Sequence, residues 1–199
     1  MDNYRQQIKN EVQLLSDVKK IAFAALTSEK LYPNYVVFQK NTGWGNAGIL
    51  ESALVVIYQS MLNRNKIDKE IIKDSIFAVD SITPDTEDFP GLLTSFALDS
   101  CTSIYNTLNY LLDNNIEHII DVAIYARDTV DMFVQEKEDL EYSDPYFELK
   151  IVNDQFMVRE TNRQMMLLKR LRNIQDNELF NLIDNLRDRT AIIDINLLP

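Results

Sequence analysis

The sequence predicts an all-α protein: a single domain over residues 1–199, built as a bundle of about eight or nine helices. Three observations carry this. Apolar residues recur at three- and four-residue steps along nearly the whole chain, the period of one helix face. Glycine and proline, which punctuate a chain with turns, number only four and five. Hydrophobic residues make up 46% and charged residues 26%, enough for a core and too apolar for a disordered chain.

Each element follows in order. Tyr4 to Leu15 and Asp17 to Leu31 read as two helices, with Ser16 placed to cap the second. Pro33 is expected to open a third helix running to about Asn41, because its missing N–H costs nothing in a first turn, and Gly43 to end it. After the turn Gly43-Trp44-Gly45-Asn46, the residues Ile49, Ala53, Val56, Ile57 and Met61 describe a helix to Asn63, and Asp68 to Ser81 another. Residues 82–91 hold two prolines within a cluster of turn formers and read as a surface loop. From Gly91 to Asp113, Leu93, Phe96, Ala97, Cys101, Ile104, Leu108 and Leu111 mark a strongly amphipathic helix.

Asn115 is placed to cap the next helix, whose apolar face is Ile116, Ile119, Ala123, Ala126, Val130 and Phe133. At about 100° per residue, Glu117, Asp121, Asp128 and Asp131 share one narrow opposite sector, predicting an acidic outer stripe. Asp144-Pro145 reads as a cap and a first helical residue, opening one long helix to about Arg172. A last helix is expected from Asp176 to Asp188. The apolar tail from Ile192 to Pro199 is expected to pack on the body or on a second copy of the chain, which would make the protein a homo-oligomer.

The net charge of −11 is uneven. Residues 113–148 carry eleven carboxylates against Arg127 and Lys137, a local balance of −9, whereas residues 1–65 sum to +2 and residues 149–199 to +1. Direct binding to nucleic acid is disfavoured, since no surplus of Lys and Arg exists to displace counterions from phosphates. A basic protein partner suits this charge better. The longest apolar stretches, such as Ile21 to Leu26, fall far short of the roughly 20 residues of a membrane span. Residues 1–7 lack the pattern of a secretory signal. A lone cysteine, Cys101, cannot form an internal disulfide, which fits the reducing cytoplasm.

No catalytic, cofactor or metal-binding residue is predicted. A di-iron bundle needs Glu-x-x-His on two helices, but His118 is the only histidine and Asn115 stands three residues before it. Cys101 falls on a core-facing position, where a small buried hydrophobe is the usual occupant. Glycine-rich phosphate loops and zinc-protease or hydrolase motifs do not occur. Asp99, at the edge of an apolar face, is either a carboxylate with a shifted pKa or a hydrogen-bond acceptor for a neighbouring helix. The most distinctive stretch is Tyr32-Pro33-Asn34-Tyr35 followed by Trp44: amphipathic aromatics beside an amide line pockets and interfaces, or else fill the core under a tight helix connection.

These residues carry a resemblance. Glu29-Lys30-Leu31-Tyr32-Pro33-Asn34-Tyr35, then Phe38, then Thr42-Gly43-Trp44-Gly45, resembles the signature of the YjaG-like bacterial family, domain of unknown function 416. Weaker similarity runs through Phe96 to Cys101 and the helix after Pro145, covering nearly the whole chain. The resemblance implies a bacterial, cytoplasmic, all-helical protein and brings no activity with it.

Two function classes result. The leading expectation is a non-enzymatic interaction protein whose acidic face, Glu117, Asp121, Asp128 and Asp131, engages a basic protein, as an immunity protein or a nucleic-acid mimic would. The alternative is a small-molecule binder or enzyme with a pocket around Tyr32, Asn34, Tyr35 and Trp44, joined by Asp99.

Overall fold

The computed structural model describes residues 2–62, 68–175 and 177–198, and among them helices and turns occur but no strand. The helices are α1 (Asp2–Val12), α2 (Asp17–Thr42), α3 (Ala47–Leu62), α4 (Lys69–Ser81), α5 (Leu92–Asp113), α6 (Ile116–Lys137), α7 (Phe147–Asn153), α8 (Gln155–Asn173) and α9 (Leu179–Leu186), followed by a 3-10 turn at Ile195–Leu197. The expected ends at Asn63, Asp176 and Pro199 lie outside the described residues. No helix is long and apolar enough to cross a membrane.

The centre of the molecule is α2 packed along α5, with α6 against both. Helices α3 and α4 cover one side of this pair, while α8 lies on α6 and α1 bridges α6 and α8. Helix α2 holds the middle because its Ile21-Ala22-Phe23-Ala24-Ala25-Leu26 run is buried on every side. A helix that is apolar all round must be interior.

Two sequence expectations are corrected. Pro33 does not open a new helix: α2 runs unbroken from Asp17 to Thr42 with Pro33 inside it. An interior proline removes one backbone hydrogen bond, here to the Glu29 carbonyl, and costs several kcal/mol in isolation. Burial of Leu31 before it and of Asn34, Tyr35 and Phe38 after it keeps the helix continuous. The single helix expected after Pro145 is two. Asp154 ends α7 in an extended conformation and caps α8, its side chain accepting the Phe156 N–H at 2.7 Å. Ile151 and Phe156 both stay buried across the break, so the apolar spacing gave no sign of it.

Smaller details agree or differ locally. Ser16 occupies the N-cap position of α2 without a side-chain cap bond. Asn115 does cap α6, accepting the Glu117 N–H at 3.1 Å. Asp144 accepts the Tyr146 N–H at 2.7 Å, one turn ahead of α7. The loop at 82–91 is held to the body by Phe89, whose ring lies 5.5 Å from Phe38 and 5.1 Å from Trp44. The tail packs on its own body, with Ile192 and Ile193 buried in a cluster with Phe133, Val134 and Phe156.

Candidate functional site

The acidic sector of α6 does not face solvent along its length. Helix α1 lies over its first half and brings two cations to it. Arg5 places Nη2 2.8 Å from Glu117 Oε2 and Nη1 2.7 Å from Asp121 Oδ1, and Lys9 Nζ sits 2.6 Å from Glu117 Oε1. These bonds from Lys9 and Arg5 hold the Glu117 carboxyl below its ordinary pKa. The expected outer stripe is thus half covered: the basic partner of Glu117 and Asp121 is the chain's own first helix. Sequence spacing fixed the sector but not what packs against it.

The second half of the sector opens into a cavity. Asp128 and Asp131 line a space of about 580 Å³ together with Met132, Gln135, Tyr142, Phe147 and Glu148, and Arg127 also lines it. Arg127 is only 6% exposed, yet its Nη1 makes no hydrogen bond among the described residues. That nitrogen lies 3.8 Å from Asp128 Oδ1 and 4.0 Å from Asp131 Oδ2, close enough to offset charge but too far for a hydrogen bond. Asp128 Oδ1 is likewise buried and unbonded, and burial pushes the Asp128 carboxyl above its ordinary pKa against the pull of Arg127. Asp131 accepts one bond from Gln135 Nε2 at 2.5 Å.

The outer wall comes from the segment between α6 and α7. Tyr142 is 88% exposed and its ring stands 5.3 Å from Phe147, at 61°, so one face of the site is aromatic. Glu148 lines the cavity and is exposed, and Glu136, Glu138, Asp139 and Glu141 of the same stretch of chain are exposed as well. Three carboxylates, one inward guanidinium and an accessible aromatic ring favour a cationic side chain with a stem that packs on the ring. Sequence reading named Asp128 and Asp131 but missed Tyr142, Glu148 and Arg127. The −9 run through 113–148 was the available signal, and three of its carboxylates, Asp128, Asp131 and Glu148, line the cavity.

The aromatic stretch is placed differently. Tyr35 is fully buried, donating to the Ile82 carbonyl at 2.8 Å and accepting the Asn46 N–H at 3.3 Å. Trp44 lies against Phe89 and, edge-on at 6.1 Å, against Phe38. Asn34 is fully buried in α2, and neither amide atom has a protein hydrogen-bond partner. Tyr32 is half-buried beneath the Arg189 guanidinium, 4.8 Å from its ring centre. None of these four lines the cavity beside α6.

The Glu29-to-Tyr32 part of the motif instead receives the residues after α9. Arg187 gives Nε and Nη2 to Glu29 Oε1 at 3.1 and 2.9 Å, Lys30 pairs with Asp188, and Arg189 covers Tyr32 while pairing with Glu51 at 2.8 Å. Tyr58 completes the first of these, donating to Glu29 Oε2 at 2.8 Å under the Arg187 guanidinium. Three consecutive residues thus clasp α2 and α3.

Asp99 and Cys101 are core groups on α5. Asp99 accepts from Thr129 Oγ1 at 2.7 Å, and burial pushes its pKa up to about 7. Burial likewise raises the Cys101 thiol to about 12, which keeps it protonated and poorly nucleophilic. Among the described residues, no group of three His, Cys, Asp or Glu is placed to hold a metal ion.

Comparison with known proteins agrees with the motif. The family model described as protein of unknown function (DUF416) matches residues 7–195. The chain belongs to the DUF416 family. It is 25% identical over 135 residues to the uncharacterised protein YjaG of Escherichia coli, and 24% identical to that of Salmonella typhimurium, with 67% of each chain covered. A crystal structure of a DUF416 family protein from Shewanella baltica superposes with a TM-score of 0.78 at 20% identity, covering 89% of this chain and 91% of that one. This DUF416 chain shares that protein's fold.

Proposed function

We propose that this DUF416 protein is a cytoplasmic, non-enzymatic interaction protein that takes a basic segment of a protein partner at the α6–α7 cavity. The observation that carries the reading is the cavity itself: Asp128, Asp131 and Glu148 converge on a space of about 580 Å³ walled by the Tyr142 ring. A Lys or Arg side chain entering it gains three carboxylates and a cation–π contact. A main-chain carbonyl beside that side chain could satisfy the Arg127 Nη1 donor left open at the buried edge of the cavity. The −9 balance of residues 113–148 steers a basic partner and makes association sensitive to salt.

The experiment is capture of partners from lysate by the tagged protein at low and high salt, with Glu148→Gln/Tyr142→Ala as a second bait. Glu148 and Tyr142 are exposed, so the double variant keeps the fold. A basic protein held by the native bait at low salt, released at high salt and not held by the variant is the expected outcome. Equal capture by both baits, or capture indifferent to salt, contradicts the reading.

A further inference from the structure

A second cavity has the opposite charge. It lies between α2, α8 and the end of α9, with a volume of about 450 Å³. Its floor is apolar, built from Leu26 of α2, Leu167 of α8 and Leu186 of α9. Its rim is basic: Lys30, Arg159, Arg163 and Arg170 line it, against Asp188 alone among acidic residues. In a chain of net charge −11, this groove is lined by four cations against one carboxylate.

The cations divide by what already holds them. Lys30 is paired with Asp188, and Arg163 is held by Glu160, with Nη2 2.7 Å from Oε1 and Nε 2.7 Å from Oε2. Arg159 stacks over Phe156 at 4.7 Å and donates to the Ile192 carbonyl, so it is fixed in place without a carboxylate partner among the described residues. Arg170 is exposed and makes no ion pair among the described residues. Arg159, Arg163 and Arg170 form one stripe of α8 about 16 Å long at 1.5 Å per residue. Two guanidiniums without carboxylate partners among the described residues therefore line the groove, and a guanidinium fork matches a carboxylate or phosphate.

We propose that this groove is a binding site for a small amphipathic anion, an apolar body ending in a carboxylate or phosphate. The apolar body lies on Leu26, Leu167 and Leu186, and Met166, 64% exposed, forms a movable lip. The anionic end pairs with Arg170 at one end of the floor, and Arg159 adds positive charge at the other. The volume falls within the range of small-ligand sites, below what a folded partner would need.

The test is calorimetric titration of the full chain with decanoate, decyl phosphate, decanol and inorganic phosphate, repeated on Arg170→Gln and Met166→Glu. Arg170 and Met166 are exposed, so both variants should unfold at the native temperature. Saturable binding of decanoate or decyl phosphate at one site per chain is expected, and the tighter of the two names the head group. Decanol and inorganic phosphate, each lacking half of the match, should bind at least about tenfold more weakly, and each variant should lose about tenfold or more. No binding of either chain-bearing anion overturns the proposal. So does binding of decanol equal to that of decanoate, undiminished binding by both variants, or tighter binding of a Glu-rich peptide than of either anion.

Discussion

Gly45 is required by one neighbour. Its φ is +87°, and a Cβ built there would lie 2.2 Å from the Tyr35 hydroxyl, which is fixed by its bonds to Ile82 and Asn46. Gly45→Ala should therefore cost about 1–3 kcal/mol, measured by urea unfolding; a variant as stable as the native chain contradicts this packing. Asp99 makes a pH prediction. Its folded pKa of about 7 lies above the unfolded value near 3.9, so between those values the folded state holds the extra proton. Its contribution makes stability fall as pH rises from about 4 to about 7. Asp99→Asn keeps an acceptor for Thr129 and removes that slope, which melting curves at pH 5 and pH 8 will read. An unchanged slope would show that Asp99 ionises normally. The sequence marked Gly45 only as part of a turn; for Asp99 it left a shifted pKa and a hydrogen-bond acceptor as alternatives, and Asp99 is both.

Helices α3 to α6 were legible because each buries one clear face and is bounded by turn chemistry, with Asn115 capping α6 as its position suggested. The two misplacements have local causes. Pro33 signals a start only when the tertiary structure lets the chain stop before it, and here burial on both sides overrides that preference. Asp154 breaks a helix without breaking its apolar spacing. The clasp of residues 187–189 on α2 and α3 was invisible for another reason: Glu29 and Arg187 are separated by most of the chain. Glu29 is 2% exposed, so removing its partner strands a buried charge. Arg187→Ala should cost about 3 kcal/mol, and adding Glu29→Gln should recover much of the loss. Additive losses in the two variants, measured by chemical unfolding, would show that the pair is not a unit.

At the scale of the molecule, the charge asymmetry seen in the sequence resolves into three parts. Glu117 and Asp121 are consumed by Arg5 and Lys9, which fix α1 to α6. Asp128, Asp131 and Glu148 line an acidic, aromatic-walled cavity. The basic residues of α8, which nearly cancel in the count for 149–199, gather with Lys30 on a separate groove. Sums over sequence windows register the first two parts as one and miss the third, because a helix sorts its charges by face. The central claim is that the acidic cavity takes a cationic side chain, and its most direct measurement is a low-salt NMR titration with a short Arg-containing peptide. The expected result is saturating shifts confined to Met132, Gln135, Tyr142 and Phe147, weakened at least about tenfold by Glu148→Gln/Tyr142→Ala. Shifts absent from those residues, or a variant that binds as the native chain does, would contradict it.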